Sequence, residues 1–139
     1  MNEKAAQGDS LGTGALAVGV DVVDLERFRQ AVGRRPAIAE RLFTPAEREL
    51  AASSADPAKR LAVRFAAKEA VMKALGVGIG GVSFREVEVC RGPTGAPSLA
   101  LSGTAAARAE RLGLRAWHLS MSHSDLVAVA TVVAERCVE

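Results

Sequence analysis

Small and β-branched apolar residues alternate from Ala15 to Val23 (ALAVGVDVV), which predicts a strand that carries Asp21 toward its carboxyl end. Asp24 follows as an N-cap. In the next segment, LERFRQAV, Leu25, Phe28 and Val32 fall at spacings of three and four, giving a short amphipathic helix with Arg27 and Arg29 outside its apolar stripe. Pro36 interrupts it. Thr44-Pro45-Ala46-Glu47 is a capping-box pattern with proline at the first helical position, so FTPAERELAAS starts a second helix. Asp56-Pro57 opens the longest one, KRLAVRFAAKEAVMKAL, which sets Leu61, Phe65, Met72 and Leu75 among many alanines and stops at Gly76.

Beyond the glycines, FREVEVCR alternates as a half-buried strand, RGPTGAP turns the chain, and SLALS returns as the second arm of a hairpin. TAAARAERLG is a helix closed by Gly113, and RAWHLSMSHS and LVAVATVVAE are two final strands joined around Ser124-Asp125. This order predicts an α+β fold with a mainly antiparallel sheet covered by helices on one face. One domain over 15–139 accounts for it, with no repeat or linker, and the polar, glycine-rich segment 1–14 reads as a disordered tail.

Composition narrows the function classes. A net charge of +2, with four Phe, one Trp and no Tyr, is too mild for a nucleic-acid binder, which clusters basic residues along one face with aromatics for stacking. No apolar run approaches the roughly 18 residues of a membrane span. Cys90 and Cys137 are far apart and form no metal-ligand spacing, so neither a disulfide framework nor a zinc site is indicated, and a cytoplasmic location is expected.

Candidate chemistry lies in two segments. Glu69 and Lys73 stand one helical turn apart, and on an exposed face such a pair is an ordinary ion pair worth about 0.3 to 0.5 kcal/mol. Their neighbours Phe65, Ala66, Ala70 and Ala74 are apolar or small, which suits a helix approached closely by other structure. Asp21 lies inside the apolar run LAVGVDVV, where an ionised carboxylate needs a partner or a metal. Together Asp21 and Glu69 offer a divalent cation two hard oxygen ligands, with Lys73 nearby to meet negative charge. The run GVGIGG follows a helix, not a strand, and no Lys-Ser/Thr pair succeeds it, so it reads as a helix stop and tight turn. Ser122 and His123 are adjacent in a strand and point to opposite faces, which excludes a Ser-His nucleophilic pair. His123 at the strand end suits holding an anion or a structural role, and His118 within RAWHLS is expected to be buried and structural.

Three segments, VGVDVVDLERF, RFAAKEAVMKALGVGIGGVSF and MSHSDLVAVATVVAE, resemble the signatures of the holo-[acyl-carrier-protein] synthase family, the short 4'-phosphopantetheinyl transferases. The resemblance runs in order over nearly all of Val18 to Glu135. It implies transfer of 4'-phosphopantetheine from coenzyme A to a serine of apo acyl carrier protein, releasing adenosine 3',5'-bisphosphate. It also implies that Asp21 and Glu69 hold Mg²⁺, the only cofactor, and that Lys73 meets the departing phosphate. The serine proton would go to Glu69 or to a metal-bound water that it positions. Arg64 and His123 match positions near the 3'-phosphoadenosine end of coenzyme A. Arg27 matches an arginine that grips the acidic recognition helix of the carrier, with Arg29 assisting.

The resemblance further implies a homotrimer with sites between subunits, and neither nucleic acid nor membrane as partner. Two departures stand out: Val71-Met72 replaces an aromatic residue or serine common in the family, and the extension through Gly14 lies outside its pattern. Alternatives are the same chemistry on a specialised polyketide or peptide carrier, or a non-catalytic module that binds carriers or nucleotides.

Overall fold

The computed structural model describes residues 14–78 and 80–137, so the expected tail falls outside the described residues except for Gly14, as does Ile79 of the glycine run. The chain runs β1 (Leu16–Asp24), α1 (Leu25–Arg34), α2 (Ala37–Leu42), α3 (Pro45–Ala52) and α4 (Pro57–Ala74). A single 3₁₀ turn (Phe84–Glu86) leads to β2 (Val87–Arg91), β3 (Pro97–Leu101), α5 (Gly103–Arg111), β4 (Leu114–His123) and β5 (Val127–Arg136).

The helix starts follow local chemistry. Asp24 accepts from the Arg27 amide at 2.9 Å, Thr44 and Glu47 form both bonds of a capping box, and Asp56 accepts from the Lys59 amide. Gly76 and Gly113 end α4 and α5 at φ +69° and +72°, a backbone region that side chains other than glycine adopt reluctantly. Two expectations change. Pro36 stands at the N-cap position of α2, a helix of six residues that is too short to display a period in the sequence. The strand expected over FREVEVCR begins only at Val87, because Glu86 turns back to accept from the Ser83 amide and also takes the amide and hydroxyl of Thr104.

Among the described residues all strand pairing is antiparallel, and it forms two sheets, β1-β5-β4 and the separate hairpin β2-β3, where the sequence predicts a single mainly antiparallel sheet. The register gives the larger sheet two unlike faces. Ala17, Gly19, Asp21 and Val23 lie opposite Ala134, Val132, Ala130 and Ala128, and this row faces α4. The other row places Val18, Val20 and Val22 opposite Val133, Thr131 and Val129. On that side Leu16, Val18, Val20 and Val22 remain 54%, 58%, 50% and 60% exposed.

α4 is the central element. Leu61, Ala62, Val63, Ala66, Ala67, Ala70, Val71, Met72 and Ala74 are all buried, so the helix is apolar nearly all round and is covered by β1, β5, α1 and α3. Its alanines permit close approach to the sheet. Gly19 completes that approach, since a Cβ at this position would run into the Ala70 carbonyl oxygen and lie 2.8 Å from its carbon. No helix among the described residues is long and apolar enough to cross a membrane.

Candidate active site

Asp21 and α4 meet because the alternation of β1 turns odd-numbered residues from Ala17 to Val23 toward the helix. The Lys73 ammonium donates to Asp21 Oδ1 and to the Val20 carbonyl oxygen, each at 3.0 Å. Thus the lysine pairs across the packing with the strand, not along its own helix with Glu69. Asp21 is 16% exposed and Lys73 55%. Glu69, half-buried one turn before Lys73, has its carboxyl pushed up mainly by burial and further by the charge of Asp21, with Lys73 opposing.

Two carboxylates that repel one another, with one shared ammonium, form a site that favours added positive charge. Their oxygens are hard donors suited to a divalent cation such as Mg²⁺. Among the described residues no third His, Cys, Asp or Glu joins them. The remaining positions around such an ion are ones that water or other oxygen ligands fill, as this ion prefers. The residues present therefore fit the group.

Asp21 and Glu69 open into a cleft of about 540 Å³ between β1, α1, α2 and α4. Arg27 stands at its edge, and Phe28, Val32, Ile38, Leu42 and Phe65 form its apolar wall. Arg29 points elsewhere: its guanidinium holds both oxygens of Asp56 at 2.9 and 2.7 Å, tying α1 to the start of α4. That fork keeps the Asp56 carboxyl at about 2 and commits Arg29 to the fold.

Arg64 and His123 share a different cleft, of about 380 Å³, floored by α4 and walled by the hairpin and the end of β4. Lys59, Arg60 and Arg91 add three cations to it, Asp56 is its one carboxylate among the lining residues, and Cys90, Gly95, Pro97 and Met121 contribute to the walls. Sequence reasoning missed the three cations, whose only signal was the Lys59-Arg60 doublet and an arginine at a strand end. Arg64 is 3% exposed, and its Nε has no hydrogen-bond partner. Burial, with Arg60 and Arg91 nearby, makes its charge costly and lowers its pKa. A buried guanidinium with an unused donor, among four other basic side chains, is suited to an anion.

His123 pairs with Ala128 on the helix side of the sheet, and Ser122 pairs with Val129 on the other, so the two do not meet. His118 is not buried: it lies on the open face and bonds Glu135 at 2.7 Å. A bulge at Ala116, with φ +49°, shifts the β4 register between Arg115 and Trp117 and exchanges the faces that simple alternation would assign. The same shift puts His123 on the helix side of the sheet, where it stays exposed and lines the basic cleft. The two clefts share no lining residue, and Arg64 and Glu69, five positions apart, lie about 140° apart around α4.

The family model for the 4'-phosphopantetheinyl transferase superfamily matches residues 17–131. A curated relative from Frankia alni, holo-[acyl-carrier-protein] synthase, is 52% identical over 120 residues, covering 86% of this chain and 97% of that protein. The crystal structure of holo-[acyl-carrier-protein] synthase from Neisseria meningitidis superposes with a TM-score of 0.79 at 36% identity, over 86% of this chain and 98% of that one. The Helicobacter pylori holo-[acyl-carrier-protein] synthase solved in complex with coenzyme A gives a TM-score of 0.74 at 32% identity, over 85% and 99% of the two chains.

Proposed function

The chain belongs to the 4'-phosphopantetheinyl transferase superfamily, and we propose that Asp21, Glu69 and Lys73 form the centre of its chemistry. The reaction is that of a holo-[acyl-carrier-protein] synthase: the 4'-phosphopantetheine arm of coenzyme A passes to a serine of apo acyl carrier protein, and adenosine 3',5'-bisphosphate leaves. The observation that carries our site assignment is the Lys73–Asp21 ion pair beside Glu69, whose carboxyl feels the charges of both.

The serine oxygen forms a bond to the phosphorus bearing the pantetheine arm, and the bond from that phosphorus to the bridging oxygen breaks. Its electron pair leaves on the nucleotide's phosphate. Asp21 and Glu69 would hold Mg²⁺, which when bound neutralises pyrophosphate charge and polarises the phosphorus. The serine proton goes to Glu69, directly or through a water that it holds. Lys73, half-exposed on the same side, meets the negative charge of the departing phosphate. Arg64, His123, Lys59, Arg60 and Arg91 take the 3'-phosphoadenosine end. The acceptor is the carrier of fatty acid synthesis, and we place the enzyme in the cytoplasm, where Cys90 and Cys137 stay as free thiols.

Incubation with apo carrier protein, coenzyme A and Mg²⁺, followed by mass spectrometry, should show the carrier gaining one phosphopantetheine arm. No gain on fatty-acid, polyketide or peptide carriers would leave only a binding module. Arg27, at the edge of the Asp21 cleft, is the group for the carrier's acidic helix. Arg27→Glu is therefore expected to raise KM for the carrier about tenfold or more, with kcat nearly unchanged. Equal carrier KM for wild type and variant would remove this contact.

A homotrimer completes the site. The exposed apolar stripe from Leu16 to Val22 supports an interface there, and the two separate clefts support a site in which one copy's Arg64 and His123 face a neighbour's Asp21 and Glu69. Sedimentation should give three chain masses, and Val20→Glu should yield inactive monomer. A wild-type monomer with full activity at low concentration is incompatible with this assembly.

A further inference from the structure

Lys68 precedes Glu69 in the sequence, yet its side chain is 0% exposed and that of its partner Glu47 is 1% exposed. The ammonium bonds Glu47 Oε1 at 2.7 Å, the Phe84 carbonyl at 2.9 Å and the Val87 carbonyl at 2.5 Å, which uses all three of its donors. Glu47 in turn accepts from the amides of Thr44 and Val89, each at 2.9 Å, and the Phe43 ring centroid lies 5.6 Å from the ammonium. Four segments, α3, α4, the 3₁₀ turn and β2, thus converge on one ion pair. Lys68 has no donor left for a substrate.

Removing two charges from water is expensive, and apolar side chains of equal volume commonly replace such a pair without loss of stability. The value of this pair is therefore positional. Arg64 lies one turn before Lys68 on the same side of α4, and β2 runs on from Val89 to Cys90 and Arg91. These are the floor and one wall of the basic cleft. We propose that Lys68 and Glu47 are positioning residues that set the width of this cleft, holding β2 against α4 so that Arg91 and Arg64 meet the same phosphorylated nucleotide. The inference rests on the reading of that cleft as the site for the 3'-phosphoadenosine end.

The full-length Lys68→Met/Glu47→Gln variant, which removes both charges together, tests it by titration calorimetry with adenosine 3',5'-bisphosphate and, separately, with Mn²⁺ as a probe of Asp21 and Glu69. The expected result is a nucleotide Kd raised about tenfold, a Mn²⁺ Kd unchanged within about threefold, and KM for coenzyme A rising more than kcat falls. An unchanged nucleotide Kd, or equal loss of both ligands, overturns the proposal. Should the double variant fail to fold, Glu47→Asp, which shortens the link and keeps both charges, is judged by the same two constants. Wild-type protein that fails to bind the nucleotide would instead overturn the reading of the cleft itself.

Discussion

Glu69→Gln is expected to slow transfer of the phosphopantetheine arm by about a hundredfold or more while leaving the fold intact. The side chain keeps its shape, so packing around α4 is preserved. What is lost is one of two negative charges that face each other across β1 and α4. Burial and the neighbouring Asp21 push the Glu69 carboxyl up, which means that its ionisation opposes folding. That cost is absent below the ordinary carboxylate range and grows as pH rises toward and through the raised folded value. A neutral glutamine avoids it, so at neutral pH the variant should melt at the same temperature as wild type or higher. Activity and stability then move in opposite directions, as expected of a group kept for chemistry. Mass spectrometry of the carrier and a thermal melt read both quantities. A near-normal rate would show that Glu69 neither holds the metal nor takes the proton.

Gly19→Ala should cost both stability and rate. Glycine is required there for space, since Gly19 is not among the residues with positive φ. Its missing side chain lets α4 lie on β1, and an added Cβ would strike the Ala70 carbonyl and approach the Ala74 amide nitrogen to 3.1 Å. Both obstacles are backbone in a helix buried on nearly every side, so neither can swing away. Overpacking of this kind costs about 1 to 3 kcal/mol. The displacement falls between Asp21 and the turn that carries Glu69 and Lys73, where an error of about 1 Å can reduce turnover a hundredfold. Urea denaturation and the transfer assay should both register the change. A variant with wild-type midpoint and rate would mean that the helix has room to spare at this contact.

Much of the scaffold was legible because its signals are local. Asp24, Thr44 with Glu47, and Asp56 each announce a helix start through a side chain that reaches an amide within three residues. Gly76 and Gly113 mark helix ends by conformational freedom, and the alternation in β1 and β5 specifies which side chains face α4. Residues 37–42 were not legible as a helix, since six residues show too little of any period. Glu47 looked like a capping residue and nothing more, because its pairing with Lys68 spans α3 and α4 and depends on their packing.

The chain order alone established the α+β class and most of the main elements, and it singled out two carboxylates and a lysine, Asp21, Glu69 and Lys73, as the candidate site, since apolar surroundings make a charge conspicuous wherever the fold places it. Three-dimensional packing settled matters that depend on residues far apart in sequence. Lys73 chose Asp21 as its partner instead of Glu69, and Arg29 was drawn to Asp56. One bulged residue, Ala116, reversed the parity of β4, exposing His118 and turning His123 into the basic cleft. Side-chain direction in a strand has a period of two, so a single inserted residue changes every later assignment, and its position is set by pairing with β5.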